Sequence, residues 1–384
     1  MSKRVRCIWL ISVAGWAAVL AARVTEPGGL SPAAVSLLHK GIFHLYNLEL
    51  DQAEQCFVHA GELASNHPAP YVYLAAVLIS RAMCEGGSED LHNATKRCLQ
   101  RAITVSTSAT AHPSPWAEMY HGAACLLLAQ QCGLSGSYLE GMRLLKQATV
   151  RIERATHAPD TCADAGVLLG AYQFFAHATP WFARHFAGVL ILPPDVRAGL
   201  RQLDAGVTDA VMLQPEALML ACLAHAWSGN HLRALELAVT LTNRFPANPQ
   251  WDLLLQYVLV HLGNYDAALA SATTTVLRLE TSSQPLVRAL LPDQHYWCGV
   301  IYAAVSNYPR AVTHFGAAAA FASRKHYLRA WGLLRQGTMH DLLGEREAAC
   351  ACYRAAVGLQ HASYSVRAYA RQFLQEPYAG QPLE

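Results

Sequence analysis

Charged side chains are scarce in this sequence. Asp, Glu, Lys and Arg together make up 15% of the 384 residues, whereas hydrophobic residues make up 53%. The formal net charge is only +2, and three of the basic residues, Lys3, Arg4 and Arg6, lie ahead of the first apolar run. No long Lys/Arg-rich run follows them, so the basic patch typical of nucleic-acid-binding proteins is missing. We therefore expect no nucleic-acid partner.

The sequence motifs of common catalytic and metal sites are also missing. There is no GxSxG, Walker loop or GxGxxG motif, and the 27 acidic residues are too scattered to suggest a carboxylate pair. HExxH and CxxC are absent as well, and the spacing of Cys350 and Cys352 places their thiols on different faces of a helix. These absences predict a non-enzymatic protein with no cofactor and no metal site.

Cysteine and histidine are present in number but not in clusters typical of metal ligands. All of the 11 cysteines except Cys7 follow the first apolar run. Most occupy apolar helical positions, where a free thiol packs as a small hydrophobe. Cys84 and Cys98, on either side of a predicted loop, are the best candidates for a disulfide. Among the 18 histidines, we consider His177 and His185, which lie on one stretch with Trp181 and Arg184 between them. Their spacing of eight residues corresponds to about 12 Å of helix rise, too far for one ion.

The N-terminus has the pattern of an export signal. Three basic residues precede an apolar run over residues 7–22 that ends in small residues, and Val19-Leu20-Ala21 approximates a small-x-small cleavage site. We predict that residues 1–22 are a cleaved signal peptide. The alternatives are an uncleaved anchor, which would tether the protein to a membrane, and an ordinary buried helix. The prediction places the protein outside the cytoplasm, either periplasmic or anchored in the inner membrane.

Helical periodicity with short turn signals runs from residue 31 to about residue 376, after a linker over residues 23–30. Four similar strings in the second half place a turn residue five positions before an alanine. These pairs are Gly229 and Ala234, Gly263 and Ala268, Ser306 and Ala311, and Gly344 and Ala349. The first two alanines are 34 residues apart, a period typical of repeated helix hairpins.

The repeat extends beyond the turns. The clearest copy has six characteristic positions. They are a small residue (Gly299), an aromatic (Tyr302), an aromatic in the turn (Tyr308), an alanine (Ala311), a second aromatic (Phe315) and a second alanine (Ala318). Parts of the same series recur at Gly337, Ala349, Tyr353 and Ala356, and near the N-terminus at Gly41, Ala53, Phe57 and Ala60. This series resembles the consensus of the tetratricopeptide repeat (TPR), and the chain as a whole resembles exported bacterial TPR proteins.

The resemblance implies an all-α fold, a TPR-like solenoid of roughly eight helix hairpins over residues 31–376. The repeat register is degenerate over residues 69–212, where Gly122 and Gly170 are the candidate close-packed positions. The last residues, 377–384, carry Pro and Gly and are predicted to form a flexible tail.

The family resemblance also implies that a protein or peptide binds in the concave groove lined by the first helix of each hairpin. The inward-facing positions of the family fall on six residues of this chain: Tyr257, Tyr296, Val300, Trp331, Leu334 and Thr338. We therefore predict a scaffold or adaptor of the cell envelope that binds a protein partner of unknown identity.

Residues 166–194 are the least repeat-like part of the chain. Pro180 interrupts an apolar helical stretch, so a kink or break is expected there. One interpretation is a buried central hairpin, and another is docking at a membrane surface. A third is an apolar groove or pore that holds a small hydrophobic ligand, with Trp181, Arg184 and His185 as candidate contacts. On this third interpretation the protein would be a ligand-binding accessory component of an envelope transport system.

Overall fold

The computed structural model describes residues 29–85, 87–108, 114–159, 161–176, 195–321, 326–360, 362–381 and 383. Within these ranges the chain forms seventeen helices of 12 or more residues and one single-turn helix, and no strand. The all-α prediction is therefore confirmed. The chain divides into two compact units, which meet in sequence between Phe245 and Pro246.

The N-terminal unit contains the first ten helices. They are α1 (Pro32–Tyr46), α2 (Leu50–Leu63), α3 (Ala69–Glu85), α4 (Glu89–Ser108), α5 (Pro115–Leu134), α6 (Tyr138–Thr156), α7 (Cys162–Phe175), α8 (Val196–Asp209), α9 (Gln214–Trp227) and α10 (His231–Arg244). The C-terminal unit contains α11 (Pro249–His261), α12 (Tyr265–Thr281), the single turn α13 (Pro285–Arg288), α14 (Leu291–Ala304), α15 (Tyr308–Phe321), α16 (His326–Leu342), α17 (Arg346–Gly358) and α18 (Tyr364–Gln375).

Sixteen of these helices follow one another as eight pairs, in agreement with the predicted number of hairpins. The first pair starts as the sequence indicates, because Ser31 Oγ accepts a hydrogen bond from the Ala34 N–H and Pro32 occupies the first turn. The single turn α13 and the final helix α18 lie outside the pairs.

In five hairpins, the turn residue that lies five positions before the repeat's alanine has the same backbone conformation. All five have a positive φ: Leu48 (62°), Gly229 (82°), Gly263 (73°), Ser306 (59°) and Gly344 (76°). In each turn the N–H of the next residue donates to a carbonyl five residues earlier, at 2.9 Å, which closes the end of the first helix. The repeated turn signal therefore corresponds to a repeated physical structure.

The predicted small-residue positions bring the two helices of a hairpin into close contact. A Cβ added at Gly41 would lie 2.6 Å from a ring carbon of Phe57. The corresponding distances are 2.7 Å from Gly299 to Phe315 and 2.6 Å from Gly337 to Tyr353. The alanines at the helix crossings are fully buried: Ala53, Ala60, Ala234, Ala268, Ala311, Ala318, Ala349 and Ala356. These contacts confirm a TPR-like hairpin.

Close packing also occurs in the degenerate centre, as predicted for two of its glycines. A Cβ at Gly122 would meet the side chain of Ile152, and one at Gly170 would lie 2.8 Å from the carbonyl oxygen of Gly199. The α7 and α8 backbones therefore touch, and only glycine permits this separation at both positions.

In the N-terminal unit, long-range contacts join the first helix, α1, to residues near the end of the unit. The Tyr46 hydroxyl of α1 donates to Glu216 Oε2 of α9 at 2.8 Å, and the Tyr46 ring packs on Phe245 at 5.1 Å. Ile42 and Leu45, on the same stretch of α1, are at most 3% exposed. Hence the face of α1 that would line a groove is covered by the unit's own side chains.

Two local expectations are corrected by the structure. Cys84 and Cys98, the candidates for a disulfide, are both free thiols, Cys84 near the end of α3 and Cys98 inside α4. Two of the residues predicted to form a flexible tail are buried, Tyr378 at 8% exposed and Leu383 at 1% exposed. Tyr378 is held by a hydrogen bond, since its N–H donates to Asp341 Oδ2 at 2.9 Å.

Candidate protein-binding surface

The first helices of the C-terminal hairpins lie side by side. Within this unit α11 contacts α14, α14 contacts α16, and α16 contacts α18. Their partners α12, α15 and α17 pack behind them as second helices. We call the surface formed by α11, α14 and α16 the first-helix face. The three helices that form it carry the six groove residues predicted from the sequence.

A buried pair of amides joins the first two helices of this face. Gln294 Nε2 donates to Gln256 Oε1 at 2.8 Å, and Gln256 Nε2 donates to Gln294 Oε1 at 3.4 Å. Gln256 Nε2 also lies 3.3 Å from Ser271 Oγ of α12. Both glutamine side chains are fully buried, so this reciprocal pairing satisfies groups whose burial would otherwise be costly. It thereby sets the position of α14 relative to α11.

Beside this amide pair, an aromatic group reaches the surface. The Tyr257 ring packs against His261 (4.2 Å between centroids) and edge-on against Trp297 (5.7 Å). Tyr257 itself is 8% exposed, whereas Trp297 and Val300, one helical turn apart on α14, are partly exposed. His261 is exposed, and its Nδ1 lies 2.8 Å from the Tyr257 carbonyl oxygen. Tyr257, His261, Trp297 and Val300 therefore form a continuous partly exposed patch, which we call the aromatic patch.

Trp297 was not among the predicted groove residues. The family offset selects its neighbour Tyr296, but Tyr296 is 9% exposed and packs edge-on against Phe315 of the second helix at 5.5 Å. The side chain that faces α11 is thus the next one along the helix. The signal available in the sequence was the pair of adjacent aromatics, which does not reveal which of them points outward.

The predicted groove residues on α16 are more deeply buried. Trp331 is 7% exposed, and Leu334 and Thr338 have no exposed surface. The Thr338 hydroxyl donates to the Arg335 carbonyl at 2.8 Å, within its own helix. These three side chains pack between helices in this structure, and their contact with a partner stays a prediction.

The other predicted contacts, Trp181, Arg184 and His185, lie outside the described residues. The described part of that region, residues 166–176, belongs mainly to α7, which packs closely on α8 at Gly170 and Gly199.

Two histidines of the C-terminal unit face each other behind the first-helix face. His295 Nδ1 and His314 Nδ1 are 3.0 Å apart, so one nitrogen donates and the other accepts, and at most one ring carries a proton there. Burial lowers the pKa of His295 and lowers that of His314 to about 4, with smaller contributions from His295 and Arg310. Both rings are therefore neutral near pH 7. Among the described residues no group of three or more His, Cys, Asp or Glu side chains could hold a metal ion.

A buried serine–histidine pair occurs in the N-terminal unit. Ser106 Oγ lies 2.8 Å from His121 Nδ1, and His121 Nε2 lies 2.8 Å from Gln147 Nε2. The Ser106 hydroxyl is 2.7 Å from the Ile103 carbonyl and donates its proton to it. His121 Nδ1–H then donates to Ser106, and Gln147 donates to Nε2. In this arrangement the histidine cannot accept the serine proton, so the group holds helices together and does not activate a nucleophile.

No helix within the described ranges is both long and apolar enough to cross a membrane. The sequence matches no protein-family model, and no curated protein is similar to it.

Several solved structures share the helical arrangement at low similarity. The apo form of RapI is 11% identical, with a TM-score of 0.49 over 88% of this chain and 80% of that chain. The human IFIT1 dimer with PPP-AAAA is 14% identical, with a TM-score of 0.46 over 85% and 73% of the two chains. Yeast Tom70 is 10% identical, with a TM-score of 0.40 over 89% and 95%. Similarity at this level supports no inference about a role.

The recurring features of the hairpins define the architecture. A left-handed turn residue, an alanine five positions later, and a small residue under an aromatic ring recur in hairpins of both units. The protein is therefore a TPR-like helix-hairpin protein.

Proposed function

We propose that this protein is a non-enzymatic interaction scaffold that binds a protein partner on the first-helix face of its C-terminal unit. The observation that carries the proposal is the aromatic patch. Trp297 and Val300 are partly exposed, while Tyr257 and the buried Gln256–Gln294 pair hold the surface beneath them in place. A partly exposed tryptophan on a rigid support is typical of the residues that dominate binding energy at protein interfaces.

The N-terminal unit offers a weaker candidate surface. The corresponding face of its first helix is covered by Glu216 and Phe245, which contact Tyr46. A partner would have to displace a buried hydrogen bond and an aromatic contact before it reached this face. We therefore assign partner binding to the C-terminal unit.

The proposal includes an envelope location, which rests on the signal-like pattern of residues 1–22. On this proposal the chain is exported and works as an adaptor in the periplasm or at the inner membrane. N-terminal sequencing of the protein purified from cells tests this part. A mature start near residue 22 or 23 supports cleavage, an intact Met1 in a membrane fraction supports the anchor, and an intact Met1 in the soluble cytosol contradicts export.

The alternative, a small-ligand carrier built around residues 166–194, receives less support. The helices of its described part pack with touching backbones, which leaves no room for a ligand between Gly170 and Gly199. Native mass spectrometry of the purified chain distinguishes the two functions, because a carrier retains an apolar small molecule and a scaffold retains a protein.

Affinity capture with the full chain tests the scaffold. We expect one protein in stoichiometric amount, and a loss of affinity of at least tenfold for Trp297→Ala, because removal of a central aromatic anchor typically costs about 2 kcal/mol or more. Tyr364→Ala is the matched control, since Tyr364 is an 87% exposed aromatic away from the patch. Capture that is equal for Trp297→Ala and the wild type, with unchanged unfolding midpoints, would show that the aromatic patch is not the binding surface.

A further inference from the structure

The chain continues after α18 into an extended segment in which two of the described residues are buried. Glu376, the first residue after the helix, has the extended backbone angles φ −124° and ψ 128°. Tyr378 and Leu383 are buried, whereas residues 376, 377 and 379–381 are exposed. Two buried side chains five residues apart, with exposed residues between them, are typical of a bound peptide.

The first anchor, Tyr378, contacts both α16 and the final helix α18. The Tyr378 N–H donates to Asp341 Oδ2 of α16 at 2.9 Å, and the Tyr378 ring packs edge-on against Phe373 of α18 at 5.3 Å. Asp341 is itself held by Arg346, at 3.0 Å, and by the Tyr353 hydroxyl, at 2.7 Å. The carboxylate is therefore a fixed acceptor, and it contacts the backbone of the segment and not its side chain.

The Arg335 guanidinium of α16 lies near the Tyr378 side chain. Burial raises the pKa of Tyr378, while the nearby Arg335 guanidinium lowers it and Tyr308 raises it. Arg335 lies two turns of helix before Asp341 on α16. Its Nε is buried and has no hydrogen-bond partner among the described residues. The Nε of Arg335 is thus a buried donor that the segment leaves without an acceptor.

We propose that residues 376–383 are an intramolecular ligand of the C-terminal unit, and that a protein partner displaces them to bind where Tyr378 lies against Asp341 of α16 and Phe373 of α18, a site that we call the crevice. This inference rests on the proposed function, because it names the kind of segment that the scaffold binds. The partner segment is extended and carries an aromatic residue with a free backbone N–H, followed by an aliphatic residue about five positions later. A carbonyl or carboxylate oxygen near the aromatic residue would satisfy Arg335.

The arrangement is suited to displacement because the segment makes few contacts. Every residue except proline has a backbone N–H, so Asp341 accepts from many sequences, and the aromatic ring and aliphatic side chain provide the selectivity. The linkage to α18 gives the segment an effective concentration of the order of millimolar, which weakens the apparent affinity of any competitor. Loss of the two anchors should therefore expose the crevice.

The probe is a fluorescent synthetic peptide of residues 376–384, titrated into the full-length protein. We expect the full-length double variant Tyr378→Ala, Leu383→Ala to bind this peptide at least tenfold more tightly than the wild type does. The same peptide with Tyr378→Ala should not bind. Full-length Tyr364→Ala should behave as the wild type, because Tyr364 is exposed and distant from the segment in sequence.

Hydrogen exchange of the wild type gives a second test that needs no variant. The Tyr378 amide should exchange more slowly than that of Gly380, and excess unlabelled peptide should accelerate exchange at Tyr378. Failure of the folded double variant to bind the peptide, or unprotected exchange at Tyr378, overturns the proposal. A concentration-dependent wild-type dimer that the double variant abolishes also overturns it, since the segment would then occupy a second copy.

These experiments distinguish a failure of the intramolecular-ligand proposal from a failure of the scaffold proposal. If the double variant binds the peptide but Trp297→Ala captures the partner as well as the wild type does, the crevice is a peptide site and the aromatic patch is not the partner surface. If Trp297→Ala weakens capture and the double variant does not bind the peptide, the scaffold proposal stands without an intramolecular ligand.

Discussion

At the scale of single residues, the turn between the helices of a hairpin is the most regular feature of this protein. Its central residue has a left-handed φ in five hairpins, and two of these residues, Leu48 and Ser306, are not glycine. A left-handed conformation costs a non-glycine residue about 1–2 kcal/mol relative to glycine. The cost is tolerated because the following N–H is satisfied by the end of the first helix. In two of these turns, a histidine of the first helix contacts the glutamate that follows the turn residue: His44 contacts Glu49 at 2.5 Å, and His340 contacts Glu345 at 2.6 Å.

Replacement of the strained serine should stabilise the protein. We expect Ser306→Gly to raise the free energy of unfolding by about 1 kcal/mol, because relief of the backbone strain outweighs the loss of one exposed hydrogen bond, accepted from the Tyr308 hydroxyl at 3.5 Å. Gly344→Ala, at the equivalent turn, should lower the free energy of unfolding by a similar or larger amount. Leu48→Gly is the contrasting control, since Leu48 is 4% exposed and the lost burial outweighs the relief of strain. Urea unfolding of the full chain measures all three, and a destabilised Ser306→Gly would contradict the argument.

At the scale of elements, the separation of the two helices in a hairpin is set by one glycine under one aromatic ring. The contact recurs at Gly41, Gly299 and Gly337, although the residues between these positions and their aromatic partners differ. The rings of Phe57, Phe315 and Tyr353 occupy the space of the missing Cβ and are themselves fully buried. The predicted groove residue Tyr296 packs on the same Phe315 ring, which explains why it does not reach the surface.

A methyl group at this position should force the hairpin apart. Gly299→Ala would place Cβ 2.7 Å from the Phe315 ring, so we expect a loss of about 1–3 kcal/mol from the free energy of unfolding. The second variant Gly299→Ala, Phe315→Leu should lose less than the sum of the two single changes, because the smaller side chain makes room for the methyl group. Gly358→Ala is the control, since its Cβ would meet no atom within 4 Å. Equal effects for Gly299→Ala and Gly358→Ala would exclude a steric role for the ring.

At the scale of the whole molecule, the two units use the same hairpin in different ways. In the N-terminal unit the first helix packs on α9, so that Glu216 is buried with the Tyr46 hydroxyl as its hydrogen-bond donor. Asp164 of α7 accepts the N–H groups of Val211, Met212 and Leu213 and thereby holds the turn that leads into α9. The C-terminal unit has instead a partly exposed first-helix face and a short segment of its own chain beside it.

The buried carboxyl makes the stability of the N-terminal unit depend on pH. Burial raises the pKa of Glu216 to about 7 in the folded protein, against an ordinary value of 4.5, and the Tyr46 hydrogen bond offsets part of the rise. Below pH 4.5 the group is protonated in both states, so stability is greatest there with respect to this group. Between pH 4.5 and 7 only the unfolded chain releases its proton, and stability falls by an amount on the order of 3 kcal/mol.

Glu216→Gln should remove this fall. We expect its unfolding midpoint to be less dependent on pH than that of the wild type between pH 4.5 and 7, and to be higher at pH 8. Asp164 is unchanged in both proteins, so the difference between the two curves belongs to Glu216. Tyr46→Phe removes the hydrogen bond that lowers the pKa and should extend the fall to higher pH. If the unfolding midpoints of the wild type and Glu216→Gln changed equally with pH, the Glu216 carboxyl would have an ordinary pKa.

The sequence by itself determined the hairpin, because its signals are local. The left-handed turn, the alanine five residues later and the glycine under an aromatic ring all act within one repeat, where chain spacing specifies which side chains meet. The tertiary structure alone decided that Tyr46 meets Glu216, which is 170 residues away, and that Trp297 and not Tyr296 faces α11. It also decided that Tyr378 docks on Asp341. These contacts depend on how successive helices rotate and stack, and a rotation of one residue changes which side chain reaches the surface without changing the apolar pattern of the helix.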